Sequence, residues 1–375
     1  MKETYQILLV YAGDVSGVCS ALYELGGMTV MHDPSGCNST YNTFDETRWY
    51  DKESLIFLSG LTDVDAVMGN DDRLIRDVEE TARALKPRFV ALANSPIPYL
   101  NGTDFGGICR LLERDLNLPA FHVPTNGAHD YTEGAGQTFL RVAEKLVEDP
   151  GRTVPGAVNI LGMTPLDFAG AGSAAHLKKR LEDHGFSVIS NWSLDTCLED
   201  IQRAGQAQVN LVVSSAGLYA AKRLRERFGT PFVTGIPVDG FADEVYAALK
   251  NAVETGENQS PYLAARRETP AEYTLVGEPV VTGSLAAALE RKHGCGTKVI
   301  CPTEITEGLL CPWDRAVQGE EAIIEALASA KRILADPLYR AVSPTGAEFL
   351  EVPHLALSGR LYRRRYPDYF AGFWD

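Results

Sequence analysis

The sequence predicts an α/β protein built from three parallel-sheet units, and three observations carry that expectation. Apolar runs and amphipathic stretches alternate in the order strand, loop, helix, strand along the chain, which is the rhythm of parallel βαβ units. Several runs, RFVALANS among them, are apolar without a break, as in strands covered by helices on both faces. The 375 residues exceed the usual domain of about 100–150 residues more than twofold, so the chain divides.

In order, QILLVYAG reads as a buried strand, VCSALYELG as a short helix, and MTVMHDPSGC as a second strand running into a Pro-Gly turn. RLIRDVEETARALK puts Leu74, Ile75, Val78, Ala82 and Leu85 on one helical face, with Pro87 behind it as a stop. RFVALANS (strand), GGICRLLERDLN (helix), PAFHVPT (strand) and QTFLRVAEKLVEDPG (helix) complete a unit over 1–150. The rhythm restarts over 151–260 with the strands AVNILGM, FSVISNW, VNLVVSS and PFVTGIP, separated by helices and closed by FADEVYAALKNAVETG. ENQSPYLAARRETPAEY is polar and reads as a linker. A third unit over 261–375 has the strands YTLVGEP and TKVICP, the helices SLAAALERKHG and EEAIIEALASAKRILA, and a C-terminal tail expected to pack back on the others. Each unit is thus expected to be a Rossmann-like or flavodoxin-like parallel-sheet domain.

Composition excludes several function classes. Hydrophobic residues at 45% and charged residues at 23% are ordinary globular values. A net charge of -15 argues against nucleic-acid and anionic-membrane binding, which need neutralising Lys and Arg patches. The stretch MKETYQILLVYAGD is too short in apolar residues for a secretory signal or a membrane span, so a cytoplasmic protein is expected. Seven cysteines without a CxxC pair fit neither a disulfide framework nor a compact metal loop.

Open α/β sheets bind ligands beyond the carboxyl ends of their strands, which puts weight on the loops there. HDPSGC projects Cys37 from a strand end after a Pro-Gly turn, and Cys19 sits in the first turns of the helix opened by Gly13 and Asp14. A thiol beside helix N-terminal amides suits thiolate ligation, so both are candidate metal ligands; for Cys19 the alternative is a small apolar core residue. Cys295, Cys301 and Cys311 are spaced by six and ten residues and are as readily structural as ligating. GAGSAA imitates a dinucleotide fingerprint but does not follow its strand directly, so no NAD site is expected. Arg360, Arg363, Arg364 and Arg365, interleaved with Tyr362, Tyr366 and Tyr369, form the one dense basic patch, a candidate grip for an anionic or planar cofactor or substrate.

HDPSGC resembles the HGPxGC turn of the nitrogenase component 1 family, which includes the molybdenum-iron protein subunits and the related tetrapyrrole reductases. The likeness extends through YAG, DAVMGNDDRLIRDVEETARALKPRFVALANS, YLNGTDFGGI, VNLVVSSAGLYAAKRLRERFGTPF and the closing FLEVPHLALSGRLYRRRYPDYFAGFWD. It implies the three-domain component 1 architecture and a homodimer, or a heterodimer with a related subunit. It also implies an iron-sulfur cluster at the interface, an ATP-dependent reductase partner that delivers electrons, and a small-molecule or metallocofactor ligand held among the domains. Of the family's three interfacial cluster cysteines only Cys37 is matched; the others would fall at Leu9 or Val10 and near Ser95 or Pro96. The cysteine that anchors the catalytic metallocofactor would fall within Val213 to Ser215 and its partner histidine near Leu357 or Ser358, and neither is present. The expectation is therefore electron transfer to a substrate other than dinitrogen, with two copies each of Cys37 and Cys19 as the possible thiolates of a [4Fe-4S] cluster. The alternative is a scaffold or carrier for metallocofactor assembly, without catalysis.

Overall fold

A computed structural model describes residues 5–34 and 46–374. Three sheets, parallel throughout, follow one another along the chain. The first holds β1 (Met28–His32), β2 (Leu55–Leu58), β3 (Val90–Asn94) and β4 (Ala120–Val123) in the order β2-β1-β3-β4. Its helices are α1 (Asp14–Leu22), α2 (Asp63–Met68), α3 (Asp71–Leu85), α4 (Pro96–Asn101), α5 (Phe105–Leu116) and α6 (Tyr131–Lys145). Every residue of β1 and β3 is buried, as a strand with helices on both faces requires. In α3 the buried residues are Leu74, Val78 and Ala82, at helical spacing, while Lys86 ends the helix in the left-handed region ahead of Pro87.

The second sheet runs β6-β5-β7-β8, from β5 (Ala157–Met163), β6 (Ser187–Ser193), β7 (Val209–Val212) and β8 (Phe232–Thr234). Around it lie α7 (Ser173–Asp183), α8 (Leu198–Gln202), α9 (Leu218–Phe228) and α10 (Ala242–Thr255). After α11 (Pro261–Ala265), the third sheet runs β11-β10-β9-β12-β13, with β9 (Ala271–Val276), β10 (Gly296–Cys301), β11 (Arg315–Ala316), β12 (Arg332–Ala335) and β13 (Glu348–Glu351). Its helices are α12 (Pro279–His293), α13 (Glu320–Leu327) and α14 (Leu355–Ser358). Tyr369 and Phe370 of the tail bury themselves against Phe168 of the second unit. Among the described residues no helix is long and apolar enough to cross a membrane.

α6 is the central strut. It packs α1 so closely that a Cβ on Gly17 would lie 2.2 Å from the Tyr131 carbonyl oxygen, and one on Gly134 would lie 1.9 Å from that of Asp14. Glycine is required at both positions because backbone approaches backbone.

The structure departs from the expected elements in several places. QILLVYAG is no strand: the N–H groups of Gln6, Ile7 and Leu8 all donate to the Glu320 carboxylate, at 3.1, 2.7 and 2.6 Å. Ile7, Leu9 and Val10 are exposed, and Leu8 alone enters the core, that of the third unit. LIFL, passed over in the sequence, is the edge strand β2. EEAIIEALASAKRILA is not one helix, because RILA pairs as β12 between β9 and β13; short apolar runs do not distinguish the two states. The expected linker is packed structure: Tyr262 is fully buried and donates to the Leu309 carbonyl at 2.9 Å, and the buried Arg266 grips Asp314 at 2.6 and 2.8 Å.

Candidate functional site

The carboxyl ends of strands in the second and third sheets converge on α6, and each delivers a polar residue there. Asp167 follows β5; Glu278 follows β9 and caps α12; Asp336 follows β12; His354 follows β13. Tyr131, the first residue of α6, donates its hydroxyl to Asp167 Oδ1 at 2.5 Å, and His354 Nε2 lies 3.1 Å from the same oxygen. The Glu278 carboxylate accepts from the N–H groups of Ser215 and Val281 at 2.7 and 2.8 Å. Asp336 accepts from Leu338 N and His354 N at 2.9 and 2.7 Å. Tyr11 stacks on Tyr131 with ring centroids 6.0 Å apart, meets His354 edge-on at 5.6 Å, and accepts from the Tyr339 hydroxyl at 3.3 Å. Beside these groups lies a cavity of about 20 Å³, lined by Glu278, Asp336, His354, Tyr11, Tyr369 and Thr282 together with aliphatic side chains and backbone.

Three buried carboxylates share this junction, and no Lys or Arg lines the cavity. Burial, and after it the Asp167 charge, push the Glu278 carboxyl up, against the pull of the amide groups it accepts from. Burial likewise raises Asp336 and holds Tyr11, Tyr131 and Tyr369 well above the ordinary phenol range. His354 Nδ1 and Ser215 Oγ are buried with no hydrogen-bond partner among the described residues. The arrangement sets carboxyl, phenol and imidazole groups within hydrogen-bond reach of one another, the chemistry of proton holding rather than of thiolate ligation.

Cys19 is elsewhere, while Cys301 lies within electrostatic reach of Glu278 and Tyr11. Cys37 lies outside the described residues; its segment departs from the end of β1 after Pro34 and returns at Glu46. That return is firmly anchored. The Arg48 guanidinium meets the Glu46 carboxylate at 2.7 and 2.8 Å, Glu24 at 2.9 Å, and the carbonyls of Ser20 and Ser193 at 2.9 Å, over the Tyr23 ring. Cys19 is fully buried between Val15 and Met31, and burial pushes its thiol up, the placement of the alternative reading as an apolar core residue. Cys295, Cys301 and Cys311 are buried and apart in their contacts: Cys295 faces the Leu289 carbonyl, Cys301 faces Thr303, and Cys311 accepts from Arg266. Among the described residues no group of three or more His, Cys, Asp or Glu is arranged to hold a metal ion.

The four arginines do not converge. Arg360 donates to the Glu46 carbonyl at 3.1 Å and covers the Tyr50 ring, which brings it to the anchored end of the Cys37 segment. Arg365 pairs with Glu351 instead, and Arg363 and Arg364 are exposed. On the same sheet, α2 and α4 are joined by Asn101 donating to the Ala66 carbonyl at 2.6 Å, and they present Val64, Val67, Met68, Tyr99 and Leu100 to solvent. Val67 is 83% exposed and Leu100 79%, so the patch is uncovered rather than grazed. An acidic cleft of about 460 Å³ lies beside it, at the ends of β1 and β2.

The junction residues Asp167, Glu278, Asp336, His354 and Tyr131 were not among the sequence candidates. Their one signal was position, since four of them lie within four residues of strand ends.

A model of the family "Nitrogenase component 1 type Oxidoreductase" matches residues 25–283. The chain is similar to the nitrogenase molybdenum-iron protein alpha chain of Azospirillum brasilense, at 27% identity over 60% of this chain and 48% of that one. It is also similar to the nitrogenase iron-molybdenum cofactor biosynthesis protein NifE of Nostoc sp., at 24% identity over 74% of this chain and 55% of that one. It therefore spans about half the length of the curated relatives it matches. A solved structure titled "Nitrogenase Cp1 at pH 6.5" superposes with a TM-score of 0.60 over 98% of this chain and 71% of the other, at 13% identity, a likeness of fold.

Proposed function

The chain belongs to the nitrogenase component 1 type oxidoreductase family, and from that premise we propose that it is the substrate-side subunit of a nitrogenase-like reductase. In this reading it accepts electrons from an ATP-dependent iron-sulfur reductase and passes them, through a cluster held at a subunit interface by Cys37, to a substrate other than dinitrogen. The three sheets support domain boundaries near residues 150 and 260.

The observation that carries this reading is the face around the Cys37 segment. There the uncovered apolar surface of α2 and α4 lies on the sheet whose β1 leads into HDPSGC, and Arg360 is brought to the segment's far end. Apolar surface of this kind suits a subunit contact, and Arg360, Arg363 and Arg364 suit an anionic ligand bound near it. Cys19 does not fit a cluster, because its thiol is sealed in the core. Two copies of this chain then supply two thiolates, and a [4Fe-4S] cluster takes four. A heterodimer with a related, more cysteine-rich subunit completes the set; a homodimer does not. When bound, the cluster would relay single electrons, while this chain supplies position and charge.

Anaerobic co-purification with a fold-related partner, followed by iron and sulfide analysis and an electronic spectrum, tests the reading. The expected result is a coloured complex whose iron is lost in Cys37→Ser. A colourless, iron-free protein after reconstitution, or a Cys37→Ser variant indistinguishable from the wild type, overturns it. The similarity to NifE, which covers more of this chain than the match to the Azospirillum alpha chain, favours a second reading as a non-catalytic scaffold for cofactor assembly. Turnover with an ATP-dependent reductase supports the first reading; tight cofactor binding without turnover supports the second.

A further inference from the structure

The resemblance implies a metallocofactor among the three units, anchored near residues 213–215 and 357–358. In this chain those positions are Val213, Ser214, Ser215, Leu357 and Ser358, all buried. Ser215 commits its backbone N–H to Glu278, Ser358 donates its hydroxyl to the His354 carbonyl at 3.0 Å, and Leu357 packs with Val276 and Ile300 in the third unit's core. The cavity lined by their partners Glu278 and His354 holds about 20 Å³. That is close to the roughly 10–15 Å³ needed to admit one water, which is room for one or two solvent molecules. The lining is wrong chemically as well as sterically. Carboxyl and phenol groups line it beside a single imidazole, that of His354, and no thiol among the described residues does, although a thiolate is one of the two anchors the resemblance implies.

We infer that this chain keeps the component 1 architecture but has closed its central cavity with its own acid, imidazole and phenol side chains, so that the junction takes no metallocofactor and instead holds a proton that locks the three units together.

The charge arithmetic supports the proton. Glu278 faces Asp167 from the loop after β5, Asp336 from that after β12 and His354 from that after β13. It also faces Tyr131 of α6, Tyr262 of α11, Cys301 of β10, and Tyr11 and Tyr369 from the two ends of the described chain. The lone candidate cation in that set is His354. Asp167 meets Tyr131 and the His354 ring; Asp336 and Glu278 each accept two amides, but Asp336 also lies in the field of His354, whereas the charged neighbour of Glu278 is Asp167. Glu278 is left as the carboxyl whose charge nothing in the set neutralises. A proton there removes one of three buried like charges without breaking either amide contact.

The inference rests on family membership, but it concerns a place remote in sequence from Cys37, and its test separates the two. The anaerobically purified chain is incubated with isolated iron-molybdenum cofactor and desalted, and molybdenum, iron and sulfide are measured per chain. An infrared spectrum at neutral pH is read for the carbonyl stretch of a protonated carboxylic acid. The expected result is background molybdenum, together with an acid carbonyl band that disappears in Glu278→Gln. Iron and sulfide in a parallel sample that has not met the cofactor report on the Cys37 cluster independently. Molybdenum retention that falls about tenfold or more in Glu278→Gln or Ser215→Ala places the cofactor in the junction and overturns the inference. So does the absence of the acid band from the wild type. Retention that neither variant alters lies outside the junction and supports the closed cavity.

Discussion

Replacing Glu278 by glutamine should reverse its effect on stability between mildly acidic and neutral pH. Burial raises the folded-state pKa of this carboxyl from 4.5 to about 8. A raised carboxyl contributes stability that is fully present below its unfolded pKa and is lost as pH rises toward the folded one. Across that window the native state holds one proton more than the unfolded chain, so stability falls by about 1.4 kcal/mol per pH unit. Between pH 5 and pH 7, well inside the window, the wild type should lose about 3 kcal/mol from this group alone. Glutamine has no such dependence, but it carries a cost of its own. The carboxyl accepts two backbone N–H groups, from Ser215 and Val281, whereas an amide offers one oxygen and turns its NH2 toward the other donor. One buried N–H loses its partner, at about 1–3 kcal/mol. The variant should therefore be the less stable protein at pH 5, and equal to or more stable than the wild type at pH 7. Urea denaturation followed by far-UV circular dichroism at several pH values measures this, and the difference between the two proteins cancels every titrating group they share. Profiles that run parallel from pH 5 to pH 7, within about 0.5 kcal/mol, would show Glu278 ionised throughout and refute the reasoning.

Arg266→Met strands Asp314, both side chains being fully buried, and should cost about 3–5 kcal/mol in denaturant unfolding, much of it restored when Asp314 is made apolar in the same chain. The amides of Gln6, Ile7 and Leu8 hold the Glu320 carboxyl below its ordinary range, so their grip is present above the unfolded pKa and lost as pH falls through the folded one. Hydrogen exchange should find those three amides protected at neutral pH and released in acid, and Glu320→Gln should expose them at neutral pH; equal protection in both proteins would count against the contact. Arg363→Glu with Arg364→Glu touches exposed side chains and should shift stability by no more than about 0.5 kcal/mol, while weakening binding of an anionic ligand measured by titration calorimetry. Unchanged affinity in that double variant would remove the basic tail from the proposed site.

What was legible in the sequence follows a physical rule. β3 is buried along its whole length, so its requirement for apolar residues is written locally as VALAN; α3 buries one stripe, so Leu74, Val78 and Ala82 recur at helical spacing. The errors fall where the partner decides the state. Residues 6–8 are apolar enough for a strand, yet their amides go to a carboxylate more than three hundred positions away. RILA continues a helical pattern until β9 and β13 flank it as neighbours.

The junction was hidden for the same reason, more acutely. Asp167, Glu278, Asp336 and His354 are separated by tens of residues or lie in different loops, and a single acid after a strand is ordinarily a solvated loop residue. What makes them a site is burial beside one another, which no local pattern records. The rule that ligands gather beyond the carboxyl ends of parallel strands nevertheless points to all four, since each lies within four residues of such an end. Applied with attention to thiols, that rule selects Cys37 and passes over the oxygen ligands. The distinction has chemical content. A chain selected to hold a sulfur-bridged cluster among its three sheets would keep a thiolate at the end of β7, where this one has Ser215 with its hydroxyl unpartnered and its amide on a carboxyl. The cysteine matched to the family, Cys37, falls in the sequence between β1 and Arg48, outside the described residues. In the proposed reading electron entry and the three-sheet junction come apart: the redox chemistry goes with Cys37 of the first unit, and the interior of the fold is left to carboxyl, imidazole and phenol side chains.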